Sequence, residues 1–364
     1  MDKVTVLEEA YRCVQCLGNL HMCDSRLVCE DCQHQFEVRD GIPIFAEKER
    51  YWCNVPKEKM KELNADAISG NWKDAVRRHL KGNVIDHVGS EKRIDFRYIL
   101  PCLKDKKVLD IGSMWGGVAA PLSRYAKEVY AMDTTYETLQ FLSVRTKQDK
   151  IDNMKIALGS AHKLPFSDNS FDIVLLIGVL EWLGSDSDFV LTEHYGKARE
   201  TKPPRPDSPT SLQMKALSEI HRVLKEGGTA LIAIENRYFY KHFFGFPDPH
   251  TAMSFSSIMP RWMADIYMRI TKNQDYSEYT HSYNGYKKIL KRVGFKSSSF
   301  YAASPSYREL DVIIPLDSDR QIKYYYGHYG LRGARGIKRL IPLALTRFNL
   351  MKHFVPSYLI TVEK

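Results

Sequence analysis

The sequence predicts an α/β protein in which helices flank a largely parallel sheet, preceded by a small β module built on cysteines. Three observations carry that expectation. Over residues 105–236, short apolar stretches alternate with segments of helical period, the pattern of strands joined by crossover helices. Two CxxC pairs stand ahead of them, at Cys13–Cys16 and Cys29–Cys32. The chain has 364 residues, 44% hydrophobic and 27% charged, enough for a full packed core with additions.

In CVQCLGNLHMCDSRLVCEDC each CxxC turn points two sulfurs at one metal, and two such turns on facing hairpins close a tetrahedral shell. Four sulfurs leave no open position, so the expected ion is a structural zinc held by Cys13, Cys16, Cys29 and Cys32. Cys23, His21 and His34 are chemically able to ligate, but the paired geometry needs no fifth ligand and Cys23 reads as a spare thiol. HQFEVRDGIPIF then supplies an alternating strand, a turn at Asp40–Gly41 and a second apolar strand. Over residues 10–46 this pattern resembles the Trm112-like family of small zinc ribbons, which implies a docking or stabilising module. The expected boundaries are a ribbon at 1–46 and, at 47–100, a helical linker rich in Lys, Glu, Arg and Asp with solvated faces.

Residues 108–124 read VLDIGSMWGGVAAPLSR. KVLDIG is a strand, GGVAAPLSRYAK a helix and EVYAMD a second strand ending in Asp133. A parallel unit of this length puts its loop at the carboxyl edge of the sheet, where such sheets bind ligands. Asp133 follows the loop at about the 20-residue interval of an acid that accepts ribose hydroxyls. A dinucleotide fold wants G-x-G-x-x-G against a pyrophosphate. Here Met114 takes the place of the middle glycine, and Asp110 would repel a pyrophosphate while suiting the positively charged amino-acid end of S-adenosylmethionine.

Further on, MKIAL is a third strand, FDIVLLIGVLEWLG a fourth, and SLQMKALSEIHRVLKEGG a helix leading to a fifth, TALIAIE. With LPFSDNSFDIV and RVLKEGG in this order, residues 105–236 resemble the class I S-adenosylmethionine-dependent methyltransferases of the type 11-like group. The resemblance implies a Rossmann-like seven-stranded methyltransferase sheet. It also assigns Asp110, Gly112 and Gly116 to the methionyl moiety, Asp133 to the ribose, Ser160 and Ala161 to the adenine, and Ile177 and Gly178 to the pocket wall after the fourth strand. Two positions depart from the family pattern: Met114, and Ser160, where many members have an aspartate.

The acceptor end is less regular. Residues 185–210 are polar, proline-rich and too long for an ordinary connection, and read as a lid or an inconsequential loop. Glu235 leaves the fifth strand, followed by the aromatic run YFYKHFF and by Asp248, His250 and Thr251. Methyl transfer to a hydroxyl needs in-line proximity and a route for the proton. His250 is the first candidate base, His281 the second and Glu235 a third, although either histidine is equally read as a structural one. GFKSSSFYAA is a sixth strand and SYLITVEK the seventh, expected between the fifth and sixth. The methyltransferase domain is thus 101–304 plus 355–364, with 305–354 inserted. ENR–DPHT and THSYNGYKKILKRVGF are similar to stretches in methyltransferases that accompany glycan-assembly genes, which ranks a saccharide or other small polar acceptor above RNA. The alternatives are an RNA methyltransferase, favoured by a net charge of +9, and a non-catalytic cofactor-binding scaffold whose ribbon docks a protein partner. No apolar run approaches a membrane span and no signal-peptide core is present, so a cytoplasmic location is expected, with peripheral membrane contact open to the 305–354 insertion.

Overall fold

A computed structural model describes residues 8–53, 55–82, 84–184, 189–190, 208–273, 276, 279–330 and 336–364. Most of the expected lid at 185–210 lies outside these residues. The chain divides into two compact units, one of Met1–Leu175, Ser187–Glu200 and Ser218–Thr229, the other of Leu176–Asp186, Thr201–Leu217 and Ala230–Lys364.

The first unit opens with four short antiparallel strands, β1 (Leu20–Cys23), β2 (Arg26–Cys29), β3 (Gln35–Arg39) and β4 (Ile42–Pro43), paired in chain order. The β3–β4 turn holds Asp40 at φ 53° and Gly41 at φ 80°, two left-handed residues whose twist matches a tight hairpin. Just after β4, Ile44 bridges in parallel to Leu158, and Phe45 N donates to Leu158 O at 2.7 Å. Tyr11 packs beside Phe45, Tyr130 and Phe166. The cysteine module is therefore stitched to the rest of its own unit.

After β5 (Trp52–Cys53) come α1 (Lys57–Ser69), α2 (Trp72–His79) and α3 (Val84–Gly89). These helices are charged outside, yet Met60, Leu63, Ala67, Trp72 and Val76 form one buried cluster with Trp115 and Phe141. Their i, i+3, i+7 spacing supplies an apolar stripe beneath the charge. Far from being only solvated, the segment is part of the core.

Next come β6 (Lys107–Ile111), α4 (Ala119–Leu122), β7 (Glu128–Asp133), α5 (Tyr136–Gln148) and β8 (Met154–Leu158). β6, β7 and β8 are parallel, in registers that set Lys107 against Glu128 and Val129 against Met154. The helix expected over 116–127 shrinks to four residues. Gly116 at φ 73° keeps the preceding stretch in a turn, and Pro121 offers no backbone donor. β9 (Phe171–Ile177), β10 (Phe189–Val190), α6 (Pro209–Val223) and β11 (Leu224–Glu235) follow, β10 pairing with β5. Within this unit the strand order is β11, β9, β6, β7, β8.

The ends of β9 and β11 belong to the second unit, with α7 (Arg261–Lys272), α8 (Tyr283–Val293), β12 (Ser297–Ser306), β13 (Glu309–Pro315), α9 (Asp319–His328), α10 (Ile337–Arg347) and β14 (Ser357–Glu363). Its strand order is β13, β12, β14, β11, β9. β14 is antiparallel to β12 and sits between the fifth and sixth expected strands, as anticipated. The expected count of seven is corrected to eight, because part of the 305–354 segment folds back on β12 as β13. Backbone bonds pair Ser170 N with Val223 O near the start of β9 and β11, and Gly178 N with Ala233 O near their ends. The two strands are therefore parallel, and their carboxyl ends lie side by side.

Candidate functional site

The four predicted cysteines converge in the first unit. Their Sγ atoms all lie within 4.8 Å of one another, with Cys13–Cys32 at 3.6 Å and Cys16–Cys29 at 3.4 Å, and none is in a disulfide. Zinc–sulfur bonds of about 2.3 Å require sulfurs about 3.8 Å apart, so the set fits a tetrahedral ion. Gln15 N donates to Cys13 Sγ at 3.3 Å, the kind of contact that orients a thiolate ligand. Cys23 is exposed and outside this cluster, and His34 stacks on Phe36 instead.

The ends of β6, β7 and β8 bring Asp110, Gly112, Gly116, Asp133, Ser160 and Ala161 together in that same unit. Gly112, at φ 81°, donates its N–H to Met132 O at 2.8 Å, and Met114 N donates to Asp133 Oδ2 at 2.9 Å. Asp133 Oδ1 accepts from Thr135 N at 2.9 Å, and Asp133 O accepts from Gly159 N at 2.9 Å, which fixes the turn bearing Ser160. At Gly116, φ is 73° and a Cβ would come within 2.2 Å of Leu142 Cδ1, so another residue would be strained and would displace that side chain. Asp110 is buried, and its Oδ2 has no hydrogen-bond partner. Burial, with a smaller push from Asp133, raises Asp110 to about 7. Burial also raises Asp133 to about 6, against the backbone N–H bonds it accepts. Ser160 Oγ accepts from His162 N at 3.3 Å. The arrangement offers two buried carboxyl groups to a partner that is cationic or donates hydrogen bonds.

Ile177 and Gly178 fall in the second unit. Gly178 has φ 66°, and a Cβ there would lie 2.8 Å from the Tyr307 hydroxyl. That hydroxyl donates to Glu235 Oε1 at 2.9 Å, and Arg308 Nη2 stands 3.5 Å from the same oxygen. Glu235, the last residue of β11, meets His250: its Oε2 is 3.5 Å from His250 Nε2, and Glu181 Oε1 is 3.7 Å from that nitrogen. On the other side of the ring, Nδ1 is 3.2 Å from Asp248 Oδ1, and Trp182 stands edge-on at 5.0 Å between centroids. Burial lowers the basicity of His250, but Glu235, Asp248 and Glu181 together hold it well above its ordinary value. Burial pushes Glu235 up, yet His250, Arg308 and Tyr307 bring it down to about 2. Burial and the neighbouring Glu235 raise Glu181.

His281 does not join this cluster. Its Nε2 lies 2.8 Å from Gln213 Oε1, and because Gln213 Nε2 already donates to Leu180 O and Tyr279 O, the histidine is the donor. Burial, then Arg261 and Arg237, lower it to about 3. The ring is a neutral strut. Asp248 was singled out only as a polar neighbour of His250, and Glu181, Tyr307 and Arg308 were not among the candidates: Glu181 had one signal, a lone acid in the apolar VLEWLG, whereas Tyr307 and Arg308 reach Glu235 from more than 70 residues away.

Residues 109–200 match the family described as a methyltransferase domain. A curated relative, the uncharacterized methyltransferase YcgJ of Bacillus subtilis (strain 168), is 31% identical over 108 residues, covering 26% of this chain and 43% of that protein. The chain thus matches less than half the length of that relative. Among solved structures, that of YcgJ is 17% identical with a TM-score of 0.40, covering 76% of this chain and 99% of that one. Phosphoethanolamine N-methyltransferase 2 of Haemonchus contortus, in complex with S-adenosyl-L-methionine, is 15% identical with a TM-score of 0.45, covering 83% and 60%. The matched segment begins inside β6 and takes in the Asp110–Asp133 loop.

Proposed function

We propose that the protein is an S-adenosylmethionine-dependent methyltransferase that methylates a hydroxyl of a saccharide or other small polar acceptor. The observation that carries this reading is the pair of buried carboxyls, Asp110 and Asp133, at adjacent strand ends of a methyltransferase-type segment. In this reading Asp110, Gly112 and Gly116 hold the amino-acid end of the cofactor, and Asp133 the ribose hydroxyls. Ser160 and Ala161 flank the adenine, and Ile177 and Gly178 close the pocket. The unpartnered Oδ2 of Asp110 fits that cationic end. The cofactor supplies an electrophilic methyl group on a positively charged sulfur. The chain's own task is to hold the acceptor in line and let its proton leave. The carboxylates of Glu181, Glu235 and Asp248 suit a polyol, whose hydroxyls donate to such groups.

The four-cysteine cluster supports a structural zinc, and the Ile44–Leu158 bridge supports a ribbon that stabilises its own unit rather than serving only another protein. No helix among the described residues is long and apolar enough to cross a membrane. Peripheral contact has its best support in α7. It exposes Trp262, Met263, Ile266 and Ile270 along one face, an apolar stripe suited to a lipid surface.

Calorimetric titration with S-adenosylmethionine and S-adenosylhomocysteine tests the cofactor reading. Micromolar binding that Asp133→Ala weakens at least tenfold is expected, whereas no binding at millimolar cofactor would overturn it.

A further inference from the structure

We propose that Glu181, Glu235 and His250 form a binding site for a divalent transition-metal ion of the zinc or manganese kind, distinct from the cysteine cluster. Both oxygens of Glu181, Oε2 of Glu235 and Nε2 of His250 are buried and have no hydrogen-bond partner. One ligand atom from each residue lies within 4.8 Å of the others. Buried polar atoms left unpaired are costly, and here one such atom from each of three residues lies close to the other two. One shared occupant that accepts lone pairs satisfies all of them.

The distances favour an ion over a hydrogen-bonded triad. His250 Nε2 is 3.5 Å and 3.7 Å from the two carboxylates, too far for good hydrogen bonds. Ligands held at about 2.1 Å around a tetrahedral ion stand about 3.4 Å apart. The supporting contacts are those of a metal site as well. Asp248 Oδ1 beside Nδ1 accepts that nitrogen's hydrogen, so an ion that displaces the Nε2 proton meets that nitrogen's lone pair between the two glutamates. Tyr307 and Arg308 occupy Glu235 Oε1 and so turn Oε2 inward, and Trp182 braces the ring. The same three residues come from three places, the loop after β9, the end of β11 and the segment before α7, so no local turn explains their meeting.

One imidazole and two carboxylates, without sulfur, suit zinc, manganese, iron or cobalt in the divalent state. Three protein ligands leave positions open. Resting on the methyltransferase reading, those positions take acceptor oxygens, and the ion lowers the pKa of a bound hydroxyl. The hydroxyl proton passes to water and the oxygen bonds the methyl carbon, while the electron pair of the broken carbon–sulfur bond stays on sulfur.

The test uses Mn2+ alone, titrated into the full zinc-replete chain without cofactor and followed by the loss of the free-ion paramagnetic resonance signal. Four thiolates disfavour manganese, so the cysteine cluster does not interfere. Wild type is expected to bind one Mn2+, Glu181→Gln and His250→Ala to lose it, and Asp248→Asn to weaken it by about 10- to 100-fold. Thermal melting without metal checks that each variant folds. Absence of bound Mn2+ at millimolar concentration, with no metal beyond one zinc per chain by elemental analysis, would sink the proposal, as would His250→Ala binding Mn2+ like wild type. The cofactor titration fails or succeeds independently, because it depends on Asp110 and Asp133 and not on these three residues.

Discussion

Replacing Asp110 by asparagine removes a charge the fold strains to bury. Burial lifts this carboxyl from 3.8 to about 7. A shift of about three units is worth about 4 kcal/mol between its two protonation states. The sign follows from the direction. A folded-state value above the unfolded one gives stability that is full below about pH 4 and is lost as pH rises through about 7. Wild type should therefore forfeit roughly 1–2 kcal/mol at pH 5 and about 4 kcal/mol at pH 8 on account of this group. Asparagine has the same shape and no charge, so Asp110→Asn should gain on wild type by about 2–3 kcal/mol more at pH 8 than at pH 5.

Equilibrium urea unfolding at the two pH values reads that difference directly. A stability gap between the two proteins that does not change with pH would refute the burial argument. The same substitution separates structure from function: if a cationic cofactor end meets Asp110, the stabler variant binds S-adenosylmethionine more weakly. In wild type, binding should tighten by about fivefold between pH 6 and pH 7, because the carboxyl must ionise to make the contact. Asparagine at this position should abolish that pH dependence.

Two further outcomes follow from the other surfaces and clusters. Cys29→Ser should drop the zinc content measured by elemental analysis and open residues 8–46 to protease cleavage, since structural zinc binding is itself folding energy; unchanged zinc would count against the four-sulfur site. Flotation with vesicles rich in anionic phospholipid should carry the wild-type chain, and a Trp262→Ser, Ile270→Ser double variant of α7 should stay behind, with equal flotation of both ruling α7 out as the contact.

Much of the sheet was legible because its strands speak for themselves. IVLLI, residues 173–177, is an unbroken apolar run of the kind a doubly covered parallel strand requires, and VLDIG and EVYAMD place their acids by strand end alone. The CxxC pairs and the Asp40–Gly41 turn are equally local. What failed is what depends on partners. The helices at 57–89 looked solvated because charged residues are as frequent as apolar ones, and nothing in the run says that Trp72 would meet Phe141 edge-on. The β13 strand follows a turn at Tyr307–Arg308 without Gly or Asn to mark it, so the segment read as an insertion. His250 and Glu235 were legible as polar residues past a strand end, but Glu181 and Asp248 change their meaning. A histidine facing several carboxylates is no free base, and only the tertiary fold assembles that surrounding.

Met114 shows how a departure from a family pattern is absorbed. Its φ of 45° lies in the left-handed region, which explains why glycine is usual at this place and sets a cost of about 1–2 kcal/mol on any other residue. The backbone nevertheless keeps its task, since Met114 N still donates to Asp133 Oδ2. The side chain turns toward the cluster of Met60, Leu63, Trp72, Trp115 and Phe141. A partly buried methionine regains about 1 kcal/mol or more there, comparable to the backbone cost. That cluster exists only because α1 and α2 lie within the same unit. The helices between the cysteine module and the sheet thus supply the apolar surface that lets a methionine stand at this left-handed position, so the added helices and Met114 are one structural fact.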